Sequence, residues 1–164
     1  MESAVWGAVG ALSVLLLERY FEYRSSQTAA LDGKLEEFYE AVERLRKSAR
    51  YPPETEKLSA ADRKIMWVEK QFVVADNIIQ ARMLCKFHFP CLELEFEDIM
   101  RQGSAFMLKI QEIDSEGYPK DMVGAAARSK NITEKCRSFQ ERMLDERPCL
   151  THRLFRRSIG FIFD

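Results

Sequence analysis

Four stretches of the chain carry apolar residues at alternating spacings of three and four, and this repeat constrains the fold more than any other feature. Such spacing places the apolar residues on one face of an α-helix. The four sets are Leu31, Leu35, Phe38, Val42 and Leu45; Ile65, Val68, Phe72, Ala75 and Ile79; Leu92, Phe96, Ile99, Gly103, Phe106, Ile110 and Ile113; and Met122, Ala125, Ser129, Ile132, Cys136, Phe139 and Met143. The chain is therefore predicted to be all-α.

Turn and capping residues separate the four stretches. They are Pro52 and Pro53, the cap Ser59, Pro90, the segment 114–119, and Pro148 after Arg147. The predicted helices are about 25–50, 60–87, 91–114 and 119–146, each roughly 36 to 42 Å long at 1.5 Å per residue. Short connections between helices of similar length predict an antiparallel up-down-up-down four-helix bundle over residues 25–147.

The N-terminal segment Ala4–Leu17 contains no charged residue and a single hydroxyl group. A run of this kind predicts a transmembrane helix if it continues toward Phe21, because spanning a bilayer takes roughly 17 to 25 residues. We therefore assign residues 1–24 to a membrane anchor helix that continues into the bundle. The alternatives are a helix buried in protein or lying in the interface, and a cleaved signal, which the bulky residues after the run disfavour.

The flanks of this segment predict its orientation. Trp6 near one end and Tyr20 near the other are aromatic residues of the kind found at membrane interfaces. Arg19 and Arg24 follow the run, and no Lys or Arg precedes it. Because positive charge favours the cytoplasmic side, we expect a single-pass protein with its N-terminus outside and its bundle in the cytoplasm.

Small residues repeat within the same segment. Ala4 with Ala8, and Gly7 with Ala11, follow the small-x-x-x-small spacing that lets two membrane helices approach closely. The pattern predicts self-association and thus a homo-oligomer. The alternative is that small residues are simply common in such helices.

The last segment, 148–164, combines basic and aromatic residues. The residues assigned to contact with the membrane surface are Arg153, Phe155, Arg156, Arg157 and Phe161. In an up-down-up-down bundle this tail and the corner at Cys85–Cys91 lie at the end nearest the membrane. The alternative is a tail that packs on the bundle with solvated arginines.

The sequence offers little that indicates catalysis. No Glu-x-x-His motif supports a di-iron site, and no glycine-rich run indicates a phosphate loop, so we expect no enzyme activity. Cys85 with His88, and Cys149 with His152, share a three-residue spacing that would suit a zinc site, although buried thiols are the commoner fate of such cysteines. No other cofactor is predicted. The net charge of −1 argues against nucleic acid as a partner.

These features predict a non-enzymatic, membrane-anchored interaction, scaffold or regulatory protein, whose partners are lipid and either another protein or a second copy. The patch expected to remain exposed for a partner consists of Leu144, Ile78, Phe87 and Phe89. The alternatives are a membrane-active effector that oligomerises and perturbs the bilayer, and a metal or thiol sensor built on the cysteine and histidine pairs.

Overall fold

The computed structural model describes the backbone of residues 2–52 and 55–163 and the side chains of residues 15, 17–52 and 55–146. The four helices are α1 (Glu2–Ser48), α2 (Ala60–His88), α3 (Glu93–Gln111) and α4 (Met122–Phe163). Short 3-10 turns, Thr55–Lys57 and Pro90–Leu92, precede α2 and α3. In the described backbone the regular structure is thus helical, apart from one isolated bridge in the loop before α4.

The first two helices pack antiparallel. Near the C-terminal end of α1, Ser48 accepts a hydrogen bond of 3.1 Å from the Asn77 amide of α2. Ten residues earlier on α1, the Phe38 ring stacks on Phe89, just past the end of α2, with 5.5 Å between centroids. The contact nearer the start of α1 is thus made by a residue nearer the end of α2, which means that the two helices run in opposite directions.

The last helix returns along the first. Ser129 of α4 donates its hydroxyl hydrogen to the carbonyl of Ala49 at 2.8 Å, and Gln140 donates to the carbonyl of Tyr39 at 3.3 Å. Helix α3 packs between α2 and α4. The predicted all-α fold, with four helices packed as a bundle, is confirmed for the described residues.

Aromatic rings fill both ends of the core. Phe38 contacts Phe89, Phe96 and Phe139 at centroid distances of 5.5 to 5.8 Å, close to the loop between α2 and α3. At the opposite end, Trp67 is fully buried and lies 5.2 Å from the ring of Tyr51.

On three helices the predicted apolar stripes are the buried faces. The buried members are Leu35, Phe38, Val42 and Leu45 on α1; Phe96, Ile99, Gly103, Phe106 and Ile110 on α3, with Leu92 in the turn before it; and Ala125, Ser129, Ile132, Cys136, Phe139 and Met143 on α4. Leu31 and Ile113 are only half-buried and Met122 is exposed, because each lies at or beyond the end of the packed region.

The predicted face of α2 is wrong. Ile65, Val68, Phe72 and Ile79 are exposed, and Ala75 is half-buried. The side chains that α2 buries instead are Trp67, Val74, Asn77, Ile78, Ala81 and Cys85. Both sets follow helical spacing, so the period by itself did not distinguish them.

Several predicted helix ends also differ. Helix α3 ends at Gln111, and α4 begins at Met122, because the loop between them folds into a compact turn. In that turn Gly117 has a φ of 85°, which favours glycine, and the backbone N–H of Tyr118 donates to the Asp114 carboxylate at 2.9 Å. The break predicted at Pro148 is wrong, since α4 continues to Phe163 despite the backbone hydrogen bond that a proline removes.

Among the residues whose side chains are described, no helix has a stretch long and apolar enough to cross a membrane. Most of the predicted anchor 1–24, namely residues 1–14 and Leu16, lies outside those residues.

Candidate interaction surface

An exposed apolar face runs along α2 on the side opposite the core. Its members, here called the α2 outer face, are Ile65, Val68, Phe72, Ile79 and Met83. Phe72 is 72% exposed although it lies in the middle of a 29-residue helix. Exposed apolar residues that line up along one face in this way are less usual than single ones scattered over a surface.

The position of this face follows from how α2 is held. Ser59 caps the helix by accepting a 3.2 Å hydrogen bond from the N–H of Asp62. Asn77 bonds to Ser48 of α1, and the Gln71 amide donates to the carbonyl of Ile110 on α3 at 2.9 Å. These bonds and buried Trp67 direct one side of α2 inward, so residues about half a turn away face outward.

Opposite charges border the two edges of the outer face. At 100° per residue, the acidic edge comprises Asp62, Glu69 and Asp76, and the basic edge comprises Lys64 and Arg82, whereas Lys86 lies in line with Val68 near the end of the strip. All six charged residues are exposed. The surface therefore has an apolar centre, one acidic edge and one basic edge.

The apolar surface continues past the end of α2. Phe87 is 70% exposed and Leu94, in the first turn of α3, is 83% exposed. Beside them an open groove of about 470 Å³ lies between α2 and α3, lined in part by Ile79, Arg82 and Asp98. Hydrogen bonds from Lys135 and Arg101 lower the pKa of the Asp98 carboxyl, so this charged group already has protein partners.

The four-residue patch expected from the sequence is only partly exposed. Phe87 and Leu144 are exposed, as expected. Ile78 and Phe89 are buried, because Ile78 packs against Gly103 of α3 and Phe89 stacks on Phe38.

The described thiols are mostly core residues. Burial raises the pKa of Cys85 and that of Cys136 to about 12 each. The Cys85 thiol lies 3.6 Å from the carbonyl oxygen of Phe89, to which it donates. A zinc ligand must be a thiolate, so the surroundings of Cys85 oppose that role. Cys91 is exposed.

The candidate zinc site is not assembled by the described residues. His88 is half-buried beside Phe89, and no group of three or more His, Cys, Asp or Glu side chains in this part of the chain is placed to hold a metal ion. Cys149 and His152 lie outside the described side chains.

Three of the predicted anchoring residues are described. Arg19, Tyr20 and Arg24 are exposed on α1 before the bundle begins. Arg19 forms an ion pair with Glu22 at 3.4 Å, and Tyr20 packs edge-on against Phe21 at 5.8 Å. The side chains outside the description are those of Trp6, of the small residues Ala4, Gly7, Ala8 and Ala11, and of the tail residues Arg153, Phe155, Arg156, Arg157 and Phe161.

Sequence reasoning assigned the α2 outer face to the core. A signal for the alternative was present, since positions 67, 71, 74, 78, 81 and 85 form a second series with spacings of four and three. That series contains Gln71, which makes it less apolar than the outer one.

Comparison with protein-family models, with curated protein sequences and with solved structures found no significant match to this chain.

Proposed function

We propose that the chain is a non-enzymatic interaction protein that is tethered to a membrane by its N-terminal segment and presents the α2 outer face to a protein partner. The observation that carries the proposal is this face, an apolar strip along an otherwise well-packed bundle. Burial of apolar area is the main favourable term in most protein association, so a partner would cover it.

The described part of the α1 extension supports the tether. Ahead of Leu35, which is the first buried residue among the described side chains of α1, the apolar side chains of Leu15, Leu17, Tyr20, Phe21 and Tyr23 are all exposed. They point in different directions around the helix, as expected of a segment covered on all sides by another phase. The uncharged run Ala4–Leu17 directly adjoins them.

The geometry of the bundle also supports a shared membrane-facing end. Leu35 of α1 and Met143 of α4 line one cavity, and beyond them both helices continue away from the core. The uncharged N-terminal run and the basic, aromatic C-terminal segment therefore leave the bundle at the same end. A cytoplasmic bundle with an external N-terminus agrees with the arginines that follow the run.

The tether is tested by extraction of membranes with sodium carbonate. Full-length protein is compared with a chain lacking residues 1–24 and with Leu12→Arg, which places a charge within the apolar run. A charge at the centre of a membrane helix costs about 2.5 to 3.5 kcal/mol, so both variants should move to the soluble fraction. Ser26→Arg adds the same charge at an exposed position outside the run and should remain in the pellet with the full-length protein.

Release of the full-length protein by carbonate would overturn the tether, as would retention of the truncated chain. Leakage of dye from vesicles on addition of full-length protein would instead indicate the membrane-active effector.

A further inference from the structure

We propose that the partner of the α2 outer face is a second copy of this chain, bound in parallel so that the two α2 helices run side by side in the same direction. The inference deepens the proposed function by naming the partner of the same surface. It rests on spacing, on charge and on the direction of the helix extensions.

The spacing of the outer face is that of a coiled coil. Ile65, Val68, Phe72, Ala75 and Ile79 alternate spacings of three and four over two heptads. Met83 adds apolar surface one turn further on, at an e position beside Arg82. The strip from Ile65 to Met83 is about 27 Å long at 1.5 Å per residue. Two identical strips of this kind pack knobs into holes along a two-fold axis.

The two charged edges specify the direction. In a parallel pair related by a two-fold axis, the acidic edge of one helix faces the basic edge of the other. In an antiparallel pair, acidic would face acidic and basic would face basic, which is repulsive. In the register of the apolar strip, Glu69 and Asp76 lie on the e edge and Lys64 lies on the g edge, whereas Arg82 occupies the d position after Ala75. The antiparallel pair would therefore bring the two acidic edges together, and the parallel pair brings Lys64 to the acidic edge of the other copy.

In a parallel coiled coil, a residue at a g position of one helix pairs with the residue five positions later, at an e position, on the other helix. One oppositely charged pair on α2 has this spacing. With Ile65 and Phe72 at the a positions, Lys64 is at a g position and Glu69 is at the next e position, five residues later. Both side chains are exposed. Lys64 of each copy is therefore placed to pair with Glu69 of the other, twice per dimer.

The helix extensions give the same direction. In a parallel pair, both copies send the start of α1 and the end of α4 out of the same end of the dimer. Both apolar N-terminal segments can then enter one membrane, whereas an antiparallel pair would place them at opposite ends. Of the three arguments for the parallel pair, only the one from the helix extensions relies on the proposed tether.

Disulfide cross-linking tests the pairing in full-length protein purified in a non-ionic detergent, where no insertion in a bilayer is required, with Cys91 and Cys149 replaced by Ser. Ile65→Cys and Ile79→Cys are made as separate variants and oxidised with copper phenanthroline. Like a positions face each other in a parallel pair, so each variant should form a disulfide dimer with itself. Val73→Cys, exposed on the same helix but off the strip, is the matched control and should cross-link at least tenfold more slowly.

Cross-linking of Ile65→Cys and Ile79→Cys no faster than that of Val73→Cys would overturn the proposal. A disulfide formed only when the two variants are mixed would overturn the parallel direction, because it places position 65 against position 79. Neither result depends on carbonate extraction, so the tether and the pairing fail separately.

Charge reversal tests the edges. Lys64→Glu or Glu69→Lys alone should slow cross-linking of Ile79→Cys by about three- to tenfold, since each creates two like-charged contacts per dimer. The double reversal should restore the rate. A double variant as slow as the single ones would contradict the parallel register.

Discussion

The Glu43 carboxylate on α1 receives two hydrogen bonds of 2.7 Å from the guanidinium of Arg46 one turn later. The Gln140 amide of α4 lies 3.3 Å from the same carboxylate. Hydrogen bonding to Arg46 is the largest cause that lowers the pKa of Glu43 to about 2, against a smaller opposing effect of burial. A bidentate pair in a half-buried position contributes more than an exposed one.

This pair predicts a pH dependence of stability. Because the pKa of Glu43 in the folded protein is below its usual value of 4.5, the stabilisation is present above pH 4.5 and is lost as the pH falls toward 2. Glu43→Gln should lower the free energy of unfolding by about 1 to 2 kcal/mol at pH 7 and by much less at pH 2.5. Urea denaturation at both pH values measures the difference.

Glu40→Gln is the matched control. Glu40 is also paired along α1, with Arg44 at 3.7 Å, but its side chain is 72% exposed. Its substitution should change stability by at most about 0.5 kcal/mol at either pH. If Glu43→Gln and Glu40→Gln lowered the free energy of unfolding equally, the hydrogen bonds from Arg46 and Gln140 to Glu43 would not stabilise the protein more than an exposed ion pair does.

Helix α2 carries two apolar faces, and only one of them packs in the bundle. Val73 and Val74 are chain neighbours that illustrate the division. Val74 is fully buried in the core, whereas Val73 is half-exposed, on the solvent side of the helix beyond the acidic edge of the outer face. Since both residues are valines on the same helix, their helical propensities are equal, and any difference in their contribution to stability comes from packing.

The two valines give a direct test of which face is inside. Val74→Ala should lower the free energy of unfolding by about 2 kcal/mol, through lost burial and the cavity left behind. Val73→Ala should change it by no more than about 0.5 kcal/mol. Thermal or urea unfolding of the two variants side by side measures the two changes in stability. A larger loss of stability for Val73→Ala than for Val74→Ala would contradict the burial of Val74 in the core.

The whole molecule consists of a packed bundle with two helices that project from one end. The first buried residue of α1 in the described part of the chain is Leu35, and the last of α4 is Met143. The described residues between Leu15 and Ala30 are exposed or, at Thr28, half-buried. In the part of α1 whose side chains are described, the bundle core therefore begins at Leu35.

Removal of residues 1–24 should consequently leave the bundle folded. We expect the unfolding midpoint to match that of the full chain in Trp6→Phe form, with stabilities within about 0.5 kcal/mol, because no described core contact is lost. Trp67 is then the sole tryptophan in both proteins and reports on the core beside Tyr51. An unfolded truncated chain would show that the N-terminal segment belongs to the bundle.

Much of this architecture is predictable from the sequence. The buried faces of α1, α3 and α4 follow from their apolar spacing, and the loops follow from Ser59, Pro90 and Gly117 and their neighbours. The outer face of α2 was not predicted, and neither was the continuation of α4 past Pro148. Local preference favours a helix end at Pro148, and α4 nevertheless continues.

The sequence by itself determined that the chain forms four helices in antiparallel order, because helical spacing, caps and short connections act between residues that are close along the chain. Which face of α2 is buried was decided only by the tertiary structure. The inner face includes half-buried Gln71 and buried Asn77, whose polar groups can leave water because Ile110 and Ser48 accept their hydrogen bonds. Those acceptors lie on other helices, 39 and 29 residues away along the chain, so no local pattern contains them. The more apolar face was therefore left outside the bundle.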